Sequence, residues 1–405
     1  MTAWDQGKIL ISGAGVVGLL LAQSLKKLNI PYEIFDRDES ISARGQGWGI
    51  TIHWALNDML SMLPEDLIKS VYDAQVYENF HENDNGNFIY INGSNGIPVV
   101  NIPPAPRLRV RREEIRVILS TGIDVNWGCQ TINIETDDDA TDINKRVTVT
   151  CKNGKVFQGG ILMGIEGSKS VTRSITNPTN HELQYLPIRF IGGTIELSED
   201  EYRKMATTFS PLLFQGTIPQ TESFFWYSLL ATPKYTKNGT YKSQIMMSWK
   251  NNPDEPFDTP EEKYASIKIH SKGLDPRLQY MIDYLDKNTG SFMELQLADW
   301  PICDWNDFNN KILLMGDACH AMTMYRGEAC NHGIADVKLF TNLCESLLNG
   351  KIDWNAVVGK YKTSIKDRCS EAVLLSRQAC IDAHDWSKIF VGSQSPLLAI
   401  RKKNL

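Results

Sequence analysis

The 405-residue sequence predicts an α/β fold in which a parallel-sheet domain is interleaved with an antiparallel-sheet domain and followed by a C-terminal helical segment. Three observations predict it. Lys8–Ser12 is a short apolar run that meets Gly13-Ala14-Gly15-Val16-Val17-Gly18 and then a helical pattern, LLLAQSLKKLN. From 187 to 250 the pattern changes to long β-type runs: PIRFIGGTIEL, SFFWYSLL and QIMMSWK. Lys311–Phe340 then returns to the first arrangement, with the buried-strand pattern Ile312–Met315 stopped by Gly316-Asp317, a loop with Gly327, and an apolar-periodic helix through Ile334, Val337 and Leu339.

Composition narrows the function before any motif is read. The net charge of −6 argues against nucleic acid or an anionic membrane as the main partner. Ile9–Leu25 is apolar, but the glycines at 13, 15 and 18 with Ser12, Gln23 and Ser24 read as a buried strand–turn–helix rather than a membrane span. Asp5 and Lys8 precede that run, and no cleavage-type signal follows it. The eight cysteines include no C-x-x-C pair and no zinc spacing, so a reduced, cytoplasmic setting and no metal are expected.

In chain order, the first unit continues to Tyr32–Phe35 and ends at Asp36, about 20 residues beyond the glycines. Strand, G-x-G-x-x-G, helix, strand and acid together form the dinucleotide fingerprint of a Rossmann-like, three-layer domain. Gly13 permits the tight turn, Gly15 lets the backbone approach a pyrophosphate, and Gly18 lets helix and strand pack closely. Asp36 is placed to accept hydrogen bonds from an adenosine ribose. The glycine-dense stretch Ser42–Ile50, with Arg44 and Gly49, is either a flexible loop or bare backbone laid against a flat ring. Residues 76–106 hold short apolar runs among Asn, Gly and Pro, an excursion from the first domain.

Leu108–Leu119 reads as a helix start, with Glu113 and Glu114 in its first turn. Its arginines, Arg112 among them, form a solvated face or aim one member back at a pyrophosphate. Thr131–Gly160 alternates as short antiparallel strands, and the strand ILMG then meets a second junction of the same kind, Ile165-Glu166-Gly167. In the β-rich region Arg189 interrupts an apolar strand and Tyr227 lies in an aromatic one. Packing and a substrate pocket are both open readings there. The expected domains are 1–75, 107–180 and 290–350 for the dinucleotide domain, 76–106 and 181–289 for the sheet domain, and 351–405 for the helical segment.

At this point the residues resemble a family, the single-component FAD-dependent aromatic monooxygenases. That group holds the salicylate and para-hydroxybenzoate hydroxylases and many fungal natural-product enzymes. GAGVVG with Asp36, GIEGSKSVTR (164–173) and GDACHAMTMYRGEACNHGIAD (316–336) resemble its three flavin motifs in order. The resemblance implies FAD as cofactor, NADH or NADPH as electron donor, and O2 with a small organic molecule as substrates, in a monomer or homodimer. It implies that Arg44 and Arg112 approach the FAD and that Glu166-Gly167 belongs to the middle motif. Gly316-Asp317 would hold the ribityl chain, and the backbone past Gly327, at Ala329 and Cys330, would face the flavin. The family's mechanism passes through a flavin C4a-hydroperoxide that hydroxylates or epoxidises an aromatic or alkene-bearing, secondary-metabolite type of substrate. By the same resemblance Arg189 and Tyr227 are the expected catalytic pair. Met324 stands where the family commonly has proline, and Ala329 where it has glycine. These departures motivate the alternative of a redox-silent cyclase or isomerase of the same fold.

Overall fold

The structure, a computed structural model, describes residues 4–44, 47–102, 106–286 and 292–401. Gly45 and Gln46 of the glycine-dense loop lie outside the described residues. Ile9–Ser12 is the central strand of a five-stranded parallel sheet, ordered 312–314, 161–164, 9–12, 32–35, 125–126. A parallel strand covered on both faces reads as continuous apolar sequence, and Ile9, Leu10 and Ile11 are fully buried. Ile9 and Ile11 share a core with helices Val16–Lys27 and Ala329–Leu348. Leu10 belongs to the opposite core, with Phe35 and Ile312, packed on Val147, Val149 and Phe157 of a three-stranded antiparallel sheet. Helices, parallel sheet and antiparallel sheet are the three layers.

The β-rich stretch forms a seven-stranded sheet, ordered 293–299, 184–197, 241–250, 223–231, 213–218, 88–92, 98–102. Only 88–92 runs parallel to its neighbour 213–218. Successive side chains on a strand point to opposite faces. Along Ser223–Ala231, Phe225, Tyr227 and Leu229 join a core with Met205, Ile267 and Met281 on the far face. Phe224 and Trp226 face the near side with Phe190, Tyr325 and the C-terminal Leu397. Helix Trp354–Asp382 packs along Ala329–Leu348, and its end closes over that near face.

Two sequence expectations differ from this fold. Leu108–Arg111 is a strand paired with Gly49–Ile52, and the helix begins only at Arg112. Its partner is about sixty residues away in sequence, which local periodicity does not register. Met293–Asp299 pairs with Gln184–Leu197, so these residues extend the seven-stranded sheet and the return to the first domain follows Asp299.

Candidate active site

The turn after Ile9–Ser12 is fixed by backbone crowding. Gly13 has φ +114°, and a β-carbon on it would stand 2.4 Å from the Ile165 carbonyl oxygen. Gly18 packs so tightly that its β-carbon would lie 1.9 Å from the Gly13 oxygen. Gly15 differs, because a β-carbon there meets nothing within 4 Å. Its bare face opens on a channel of about 590 Å3 that Asp36, Arg44, Arg112, Gly167 and Asp317 also line.

Asp36 accepts the Ala14 N–H at 2.6 Å and the Asp38 N–H at 2.8 Å, which locks the acid to the turn. Arg44 donates to Asp38 at 2.6 Å, and buried Arg116 reaches the Ala14 carbonyl at 3.3 Å and Asp38 at 3.3 Å. Arg112 is close enough to both cations to feel their charge. Its pKa is drawn below the ordinary value by burial and by repulsion from Arg44 and Arg116. A channel lined by Arg44 and Arg112, with a bare glycine turn, suits a pyrophosphate.

Arg173 donates to the Ala318 carbonyl at 3.2 Å and stacks on Trp300, fastening the middle motif to the Gly316-Asp317 segment. Glu166 accepts from Ser170 Oγ at 2.7 Å and Thr172 N at 3.1 Å, so it caps helix Val171–Thr176 while lining the channel. Gly316 takes φ +62° and donates its N–H to Asp336 at 2.9 Å. Asp336 also pairs with His320 at 2.7 Å and with Arg368; the acid and the histidine are fully buried and the arginine is largely so. The two cations and the N–H hold its carboxyl at about 2 against the opposing effect of burial. Burial also opposes the charge on His320, but the Cys369 sulfur and Asp336 keep its pKa well above the ordinary value. His320, Asp336 and Cys369 bring ligand-type atoms within 4.8 Å of one another, yet Arg368 already supplies Asp336 with a second positive partner.

A second cavity of about 450 Å3 adjoins the channel. Ile50, Ser168, Asp317, Ala329 and Cys330 line both. Ala329 begins the 20-residue helix Ala329–Leu348, so its first free N–H groups and positive dipole end lie at the junction. Asp317 is open to the junction and walled by protein elsewhere, which pushes its carboxyl above the ordinary range. Burial and Asp317 push the Cys330 thiol up to about 12, so it remains protonated. The second cavity is walled by Trp48, Phe88, Phe224, Trp226 and Tyr325, with Met324 beside them.

No family model matches the chain. It is 36% identical over 342 residues to the FAD-dependent monooxygenase dbaB of Emericella nidulans, spanning 82% of this chain and 85% of that one. It is 34% identical over 423 residues to a probable FAD-dependent monooxygenase of Arthroderma benhamiae, spanning 97% and 95%. The chain belongs to the FAD-dependent monooxygenases. Among solved structures its fold is similar to 2,6-dihydroxypyridine-3-hydroxylase from Arthrobacter nicotinovorans, at 14% identity, with a TM-score of 0.74 over 100% of this chain and 99% of that one. Klebsiella pneumoniae HpxO complexed with FAD and uric acid is similar at 17% identity and a TM-score of 0.71, over 93% and 89%.

The channel and the aromatic cavity share a wall at Asp317, Ala329 and Cys330. Gly13, Gly15, Gly18, Asp36, Arg44, Arg112, Glu166, Gly167, Asp317, Ala329 and Cys330 all lie along the channel or hold its turn. Gly327, at φ +65°, and Gly49 line the aromatic cavity. The expected catalytic pair is corrected by the structure. Tyr227 is fully buried in the far-face core and bonds Ser243 at 2.8 Å. Arg189 donates to Asn251 at 2.6 Å and lies over Phe257 on that same far face. Strand parity puts both behind the sheet, and neither lines the cavity. Arg109 and Arg116 are the residues a solvated-face reading passes over. Their buried positions follow from the strand–helix break at Arg112 and from contacts distant in sequence.

Proposed function

We propose that this FAD-dependent monooxygenase takes electrons from NADH or NADPH and inserts one oxygen atom of O2 into an aromatic or alkene-bearing organic molecule in the 450 Å3 cavity. The observation that carries it is the meeting of channel and cavity at Asp317, Ala329 and Cys330, which sets an aromatic chamber against the end of a dinucleotide site. The bare turn at Gly15 and the cations Arg44, already paired with Asp38, and Arg112 fit the pyrophosphate, Asp36 the adenosine ribose, and Asp317 the ribityl hydroxyls. Bound there, FAD supplies hydride acceptance and activation of O2.

The protein's own residues do the rest. The backbone N–H groups at Ala329 and Cys330 would present a preorganised positive dipole to an anionic group held at the junction. Trp48, Phe224 and Trp226 wall the chamber with apolar surface, which would favour an aromatic molecule over bulk water there. The test is to load the purified protein with FAD and follow NAD(P)H oxidation and product formation with a panel of hydroxylated aromatic compounds. Substrate-dependent oxidation coupled to an oxygenated product is expected. Conversion of a substrate with no NAD(P)H consumed would replace this reading with the redox-silent one.

A further inference from the structure

The aromatic cavity carries charge that the proposed reaction does not use. Arg109 lies on its wall, 5% exposed, with its guanidinium over the Trp226 ring. It donates to Thr51 Oγ1 at 2.9 Å and to Ser228 Oγ, both neutral, and its Nε–H has no acceptor. Among the described residues no carboxylate pairs with it. The chain makes room for this cation, because a β-carbon on Gly49 would stand 2.8 Å from Arg109 Nη2.

Two neighbours repeat the pattern. Arg107 is held by Asp84 at 2.8 and 3.0 Å, yet its Nη1 has no acceptor. Gln215, 3% exposed, lines the same cavity with its Nε2 unpaired. A buried cation without a counter-charge is costly, as is each buried donor without an acceptor. Burial and Arg107 draw the Arg109 pKa down to about 9, so it is charged at neutral pH and would gain from an anion. The shortage is of acceptors, and a two-oxygen anion offers several to a planar guanidinium.

We propose that Arg109, with Arg107 and Gln215 beside it, anchors a delocalised two-oxygen anion on an aromatic substrate, a carboxylate or an ionised 1,3-dicarbonyl. The unpaired atoms are themselves shielded from solvent, so binding the anion requires these side chains to turn toward it. The ring of that substrate lies against Trp226 and Phe224. This assignment rests on reading the cavity as the substrate site.

The test uses the FAD-loaded protein and reads binding by quenching of tryptophan fluorescence, independent of turnover. The probes are 2-naphthoate, an ionised 2-acyl-1,3-indandione and the neutral 2-naphthamide. At least one anion is expected to bind roughly 10- to 100-fold tighter than the amide, the range for a charge-assisted contact. The anion that gains most identifies the source. Arg109→Gln is expected to erase the preference and Arg109→Lys to keep part of it, each checked for an unchanged far-ultraviolet spectrum. Equal binding of all three probes by the wild-type protein, or a preference that survives Arg109→Gln, would overturn the proposal. Anion preference in a protein that converts its substrate with no NAD(P)H consumed would sink the monooxygenase reading and leave the anion site standing. Substrate-dependent oxidation without anion preference would do the reverse.

Discussion

Gly18 lies so close to Gly13 that a β-carbon on it would stand 1.9 Å from the Gly13 carbonyl oxygen. Gly15, between them, meets nothing within 4 Å. The three glycines therefore have separable roles. Gly18→Ala must shift the helix from the strand, and overpacking of this kind costs about 1–3 kcal/mol or more. Gly15→Ala should leave the apoprotein's urea midpoint unchanged and weaken FAD, read by titration of flavin fluorescence. A Gly15→Ala protein with undiminished FAD affinity would remove the pyrophosphate from that turn.

The Asp336 carboxylate sits between His320 and Arg368 and accepts the Gly316 N–H, with all three side chains largely buried. Removing one member strands the others. Asp336→Asn is expected to cost on the order of 3–5 kcal/mol in equilibrium unfolding, the range for breaking a buried pair. FAD affinity should fall as well, because Gly316 leads directly into Asp317. Loss of stability with FAD affinity intact would separate the pair from the cofactor segment.

The two faces of the seven-stranded sheet make opposite predictions for adjacent residues. Tyr227→Phe removes the bond to Ser243 and is expected to cost about 1 kcal/mol of stability with no change in kcat/KM. Trp226→Ala alters the cavity wall and is expected to raise KM for aromatic substrates several-fold at nearly unchanged stability. If Tyr227→Phe lost turnover instead, the far-face placement would not describe the working enzyme.

Stability should fall as the solution is acidified. Burial holds His332 at about 2 and His384 at about 4, so both are neutral in the folded chain. An unfolded histidine protonates near pH ~6.5, so below that value the unfolded state binds protons the folded state refuses. Each should remove ~1.4 kcal/mol per pH unit between ~6.5 and its folded value. His320 acts oppositely: its raised pKa adds stability that is complete below ~6.5 and is lost as pH rises through the folded value. Urea midpoints measured from pH 8 to 5 check this, and His384→Gln should flatten the acid limb by about one proton's slope.

The parts of this fold legible in sequence are those fixed by local backbone geometry. Gly13 and Gly18 announce the turn because no other residue fits the crowding, and the run to Asp36 follows from the apolar strand Ile9–Ser12 and the buried Ile34 and Phe35 of the next one. Arg189 and Tyr227 were misplaced because a strand's alternation says that two faces exist and leaves open which one meets the cavity. That choice is made by helices 199–208, 260–270 and 276–286 covering the far side. Arg109 was hidden for a related reason. In sequence it belongs to a run of charges, and only pairing with Thr51, 58 residues away, turns it inward.

The central claim is that an oxygen atom from O2 enters a molecule held beside Asp317 and Ala329. The most direct measurement is turnover of a converted substrate under 18O2 with the product weighed by mass spectrometry. One 18O atom per product, with one NAD(P)H consumed for each, is the predicted result. A product without label, formed with no NAD(P)H consumed, would contradict the account.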